Sequence, residues 1–96
     1  MHVTNHVFLI YDAKSESWSK PIFSRNRATC QREMRDVLTQ GNTQYSMHPE
    51  DYTLFEVGTW SEFESSIKYY QAPEALGLLL QYAPKGGTFT DLASAA

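Results

Sequence analysis

His48-Pro49-Glu50-Asp51-Tyr52-Thr53-Leu54-Phe55-Glu56-Val57-Gly58-Thr59-Trp60 decides how this chain is read. A polar turn runs straight into an apolar strand. Pro49 fixes its own φ and pushes His48 out of the helical region. Glu50 and Asp51 form strands poorly and keep the turn wet. Tyr52, Thr53, Phe55, Val57, Thr59 and Trp60 then supply the aromatic and β-branched residues that a strand favours. Tyr52 and Leu54 point one way and Phe55 and Val57 the other, so neither face of this strand is fully wet. Phe55 and Val57 are expected to be buried.

The rest of the chain is organised around that strand. Residues 6–12, His-Val-Phe-Leu-Ile-Tyr-Asp, are apolar on both faces and read as a second central strand. Residues 13–19 read as a loop. Pro21-Ile22-Phe23 is a short extended piece at an edge, because Pro21 cannot donate to a ladder. A helix is expected over about residues 26–40, capped by Asn26 or Ser24 and stopped by Gly41. At helical spacing Cys30, Met34, Val37 and Leu38 share one face, with Arg32 and Arg35 opposite. Residues 41–51 read as a polar loop, 61–64 as a turn and 65–71 as a strand with Ile67 and Tyr69 on one face. Pro73 suits the first turn of a short helix running to about Tyr82, with Leu76, Leu79 and Leu80 inward. From Pro84 onward the composition reads as a flexible C-terminal tail over 84–96. The expectation is one α+β domain over 1–83 in ββαββα order, with helices on one face of a small, largely antiparallel sheet.

Composition sets outer bounds. Ninety-six residues suffice for one modest core, and an aromatic share of 14% favours a sheet-containing core over a disordered chain. The single cysteine, Cys30, rules out an internal disulfide and fits a reducing compartment. Cys30 lies on the apolar helix face, where an inert buried thiol is the default. No apolar run approaches the roughly 20 residues that span a bilayer, and no leader is evident, so no membrane partner is expected.

The net charge of −3 is unevenly spread. Residues 14–35 hold six of the eight basic side chains, Lys14, Lys20, Arg25, Arg27, Arg32 and Arg35, against Glu16 and Glu33. That segment is therefore +4, and residues 36–96 carry −6. Single-stranded DNA needs cations along its phosphates and aromatic faces for its bases. Lys14, Trp18, Lys20, Phe23, Arg25, Arg27, Arg32 and Arg35 offer both and form the candidate nucleic-acid-binding set. The structural alternative is that Trp18 and Phe23 belong to the core and the arginines to a solvated helix face, with Arg32 and Asp36 paired at i,i+4.

His48, Glu50 and Asp51 invite an acid–base role, but nothing nearby supplies a nucleophile, a phosphate cradle or an electrophile clamp. The plainer reading is a turn whose carboxylates accept backbone N–H groups. His2 and His6 stand four apart on a strand-like segment without further ligands, so no metal site is read. No cofactor and no catalytic residue is expected.

The His48–Gly58 block resembles the HPEDY-LF-x-G signature of the non-structural protein of gokushoviruses, single-stranded-DNA phages of the Microviridae. The resemblance spans roughly residues 6–82, with Tyr11-Asp12-Ala13-Lys14 similar to the family's opening and Pro21-Ile22-Phe23 to its Pro/Phe-rich segment. Members place an Asp-rich turn after the signature strand, where this chain has Trp60-Ser61-Glu62-Phe63-Glu64. The resemblance implies a small non-enzymatic protein of the host bacterial cytoplasm. Its role would be single-stranded genome synthesis or packaging, through single-stranded DNA, the viral replication initiator, or both. The competing class is a self-assembling interaction module that binds the initiator or a host protein without DNA affinity. A homo-oligomer, dimer or higher, is expected from the aromatic surplus, the open sheet edges and the charge asymmetry.

Overall fold

A computed structural model describes residues 4–83. The expected tail from Pro84 lies outside the described residues. The elements are strands β1 (Thr4–Asp12), β2 (Ser17–Trp18) and β3 (Ile22–Ser24), helix α1 (Arg27–Gln40), helix α2 (Gln44–Met47), a 3-10 turn Pro49–Asp51, strands β4 (Tyr52–Ser61) and β5 (Lys68–Leu78), and a 3-10 turn Leu79–Tyr82. This is a small α+β fold with a wholly antiparallel five-stranded sheet and one main helix.

The two segments read as central strands are the centre. β1 and β4 pair along their whole lengths, from Thr4↔Ser61 to Asp12↔Tyr52. A bulge at Val57 shifts the register, so Phe8 faces Glu56 while Val7 faces Gly58. The other edge of β1 is shared end to end: β3 pairs with His6–Phe8 and β2 with Tyr11 and Asp12. Ser19 fills the gap between them. Its N–H donates to the Ile10 carbonyl at 2.8 Å and its Oγ accepts from the Ile10 N–H at 2.9 Å.

The helix forms where its caps and apolar spacing require. Asn26 accepts from the Thr29 N–H at 2.7 Å, and Gly41 closes the helix at φ +78°. Cys30, Met34 and Leu38 are buried against Phe8, Ile10, Tyr52, Leu54, Leu79 and Tyr82. Burial raises the Cys30 thiol pKa to about 12, with help from Glu33 and Glu56, so it is an inert core group.

Three local expectations are corrected. Residues 13–19 are a tight hairpin rather than a plain loop: Asp12 accepts from the Lys14 and Ser15 N–H groups, and Glu16 turns the chain at φ +56°. The 41–51 segment contains α2, held by a reciprocal Thr43–Ser46 capping box. Pro73 does not begin a helix. It lies inside β5, at the irregularity where Gly58↔Tyr69 gives way to Glu56↔Glu74, and there its missing N–H breaks no ladder bond. Only Leu79–Tyr82 turn helically, with Leu79 buried and Leu80 exposed.

Candidate nucleic-acid interface

Alternation along the strands sorts the side chains into two faces. Phe8, Ile10, Tyr52 and Leu54 face the helix. Their neighbours Leu9, Tyr11, Phe55 and Val57 face the other way, where no helix lies among the described residues. That second face is roofed by its own aromatics. Trp18 packs on Tyr11 with ring centres 4.8 Å apart and edge-on to Phe55 at 5.1 Å. Phe23 stands edge-on to Trp60 at 6.1 Å. Beneath them Val7 and Val57 are buried. Phe55, expected to be buried, is only half-covered, because the face it lines is open.

Exposure on this face is high for residues so apolar. Trp18 is 47% exposed, Phe23 48% and Tyr69 68%. A groove of about 240 Å³ runs between Trp18, Tyr69, Tyr70 and Pro73 over a floor of Leu9 and Val57. Aromatic rings presented on a helix-free sheet are a surface on which flat π-systems can stack.

The eight sequence-derived candidates separate into two groups. Lys14, Trp18, Lys20, Phe23 and Arg25 lie along the β2–β3 edge, in or beside the two short strands that share β1, and all are exposed. Arg27, Arg32 and Arg35 belong to α1, in the layer on the opposite side of the sheet from Trp18 and Phe23. Arg35 lies 5.8 Å above the Tyr82 ring. Arg27 is occupied within the fold. Its Nε donates to Glu56 Oε1 at 2.8 Å and its Nη2 to Glu74 at 2.9 Å.

Glu56 is the residue sequence reasoning missed. It is 2% exposed, yet its Oε2 accepts from His6 Nδ1 at 2.8 Å and from the Tyr70 hydroxyl at 2.5 Å, with Arg27 on the other oxygen. Burial pushes its pKa up. The hydrogen bonds from Tyr70, His6 and Arg27, and the guanidinium charge, outweigh that and hold it below its ordinary value. The same bond to Glu56, with burial, lifts the Tyr70 hydroxyl to about 12. One signal was available: an acid between Phe55 and Val57 in an apolar strand, in register with Phe8. Tyr11, Phe55, Trp60 and Tyr69 also join Trp18 on this face, Trp60 only because the bulge at Val57 shifts the alternation of β4.

The family described as Phage ORF5 protein matches residues 5–82. The chain belongs to that family. It is thus a phage protein, and no curated protein and no solved structure matches it significantly. In this Phage ORF5 protein no described helix is long and apolar enough to cross a membrane.

Proposed function

We propose that this phage protein binds single-stranded DNA on its helix-free sheet face. Bases stack on Trp18, Phe23 and Tyr69 while phosphates run along the β2–β3 edge past Lys14, Lys20 and Arg25. The observation that carries the reading is the pair of half-exposed rings, Trp18 and Phe23, on the strands that flank Lys20. Stacking on such rings is worth about 1–3 kcal/mol per base and tolerates any sequence. The candidate surface is therefore smaller than the one read from the sequence, since Arg27 already serves Glu56 and Glu74. The role is non-enzymatic and lies in single-stranded genome synthesis or packaging in the host cytoplasm, as the gokushovirus resemblance implies.

Fluorescence titration with an unstructured oligonucleotide tests it. Trp18→Ala with Phe23→Ala should abolish most of the binding. Lys14→Ala, Lys20→Ala and Arg25→Ala together should flatten the salt dependence by about 0.7 log unit per lost contact. Arg32→Ala with Arg35→Ala should do neither. Binding that is absent at low salt, or follows the helix arginines instead, refutes the proposal.

A second reading has one observation in its favour: the groove walls are apolar and carry no cation of their own. The face would then dock a protein, the replication initiator or a second copy, without DNA affinity. Competition decides between the two, because an oligonucleotide that occupies the face must displace any protein bound there.

A further inference from the structure

The His48–Asp51 turn has no part in the DNA reading, and its side chains are unspent. The sequence suggests that Glu50 and Asp51 accept backbone N–H groups in their own turn. They do not: among the described residues no hydrogen bond or ion pair involves the side chain of His48, Glu50 or Asp51. The neighbouring hairpin is capped by Asp12 instead. One imidazole nitrogen and two carboxylate oxygens thus lie within 4.8 Å of one another with no side-chain partner among the described residues.

We propose that His48, Glu50 and Asp51 form a site for a divalent transition-metal ion, with Zn²⁺ the cation that this donor set fits. An imidazole with two carboxylates offers mixed N/O ligation, suited to zinc and poorer for calcium, which prefers all-oxygen sites. Zinc–ligand bonds of about 2.0–2.2 Å put neighbouring tetrahedral donors roughly 3.4 Å apart. Small side-chain rotations close the present spacing, since His48 and Glu50 are exposed and Asp51 is half-exposed. Three protein ligands leave one position for water, the pattern of an open zinc site.

The backbone beneath the donors is already ordered. The Asp51 N–H donates to the His48 carbonyl at 3.0 Å, the His48 N–H to the Gln44 carbonyl at 3.1 Å, and the Ala13 N–H to the Asp51 carbonyl at 2.9 Å. The last bond ties the turn to the end of β1. Pro49 restricts the chain further. Binding therefore orders three side chains and little else.

Charge points the same way. A groove of about 440 Å³ at this turn is lined by Asp12, Lys14, His48, Glu50, Asp51 and Tyr52. With three carboxylates and one ammonium the lining is formally −2, which a divalent cation neutralises. Two adjacent carboxylates repel each other, and a shared cation relieves that repulsion.

The test is calorimetric titration of the full chain with zinc chloride in a non-chelating buffer near pH 7, with Mg²⁺ in parallel. One zinc ion per chain is expected, with magnesium far weaker. His48→Ala and Glu50→Gln should each weaken zinc binding by about tenfold or more, a loss that even outer-shell partners can cause. His2→Ala should change nothing, which separates this turn from the N-terminal histidines. His48 and Glu50 lie outside the apolar core, and circular dichroism checks that each variant is folded. No zinc binding below millimolar concentration overturns the assignment. So does an isotherm indifferent to His48→Ala, or magnesium bound as tightly as zinc. DNA binding need not change in these variants, so the metal site and the sheet-face reading fail separately.

Discussion

Replacing Glu56 by Gln keeps the shape of the side chain and removes its charge. The carboxylate is 2% exposed and receives three hydrogen bonds, from His6, Arg27 and Tyr70. An amide can keep Oε1 for Arg27, but its –NH₂ then faces two groups that were donors. The Tyr70 oxygen can turn to accept, and so can His6 Nδ1 in its other tautomer. What is lost is the charge assistance, worth about 1–3 kcal/mol. Glu56→Ala leaves all three partners unmatched. Arg27 is 43% exposed and His6 33%, so water reaches both, and the loss should fall near 3 kcal/mol, the low end for breaking a buried pair. A domain of this length holds roughly 5–14 kcal/mol in total, so either change is easily measured. Acid adds a second signature. The Glu56 pKa is held below its ordinary value of 4.5, so its contribution is complete above that pH and is lost as the pH falls through the folded-state value. The gap between wild type and Glu56→Gln should therefore narrow on acidification below about pH 4.5. Urea denaturation followed by tryptophan fluorescence at several pH values measures this. A gap under about 0.5 kcal/mol at neutral pH, or one that does not shrink in acid, refutes the reasoning.

Gly58→Ala should destabilise the chain by about 2 kcal/mol or more, because the added Cβ would strike the Lys68 carbonyl and press on Tyr69 Cα in the backbone of β5; a thermal melt matching wild type would show that β5 can move away cheaply. Phe55→Ala should cost about 1–2 kcal/mol, below the 3–5 of a fully buried phenylalanine, because its ring lines the open face, and urea midpoints check it. Light scattering at micromolar concentration should give more than a monomer mass for wild type and a lower mass for Trp18→Ala with Phe23→Ala, because the open face presents exposed aromatic surface to share; a monomer at every concentration and salt refutes self-association.

The sheet edges named in the sequence reading are poor docking strips for a physical reason that only the fold supplies. β5 is long and exposed, but two register shifts in its pairing with β4, and Pro73 within it, interrupt the regular strand. The opposite edge is two short strands separated by Ser19. Broken edges resist strand addition.

Local chemistry was legible in the residues alone. The run of alternating aromatic and β-branched residues from Tyr52 dictates a strand wherever it lies, and Asn26 with Gly41 brackets α1 because capping and the left-handed stop are decided within a few residues. The β2 pair was too short to carry a period, and Glu16 at positive φ has no glycine to announce it. Leu76, Leu79 and Leu80 fall at helical spacing, but three leucines in so short a run do not separate helix from strand. Residues 74–78 extend because β4 offers them a ladder, and no local propensity encodes that offer. The site divides in the same way. The sequence determined that aromatic and basic side chains alternate between Lys14 and Arg25. Tertiary structure alone decided that Trp18 and Phe23 share a face with Phe55, Trp60 and Tyr69, that Arg27 is drawn away by a buried Glu56, and that Arg32 and Arg35 lie in the other layer, because register and layering depend on pairing partners distant in the chain.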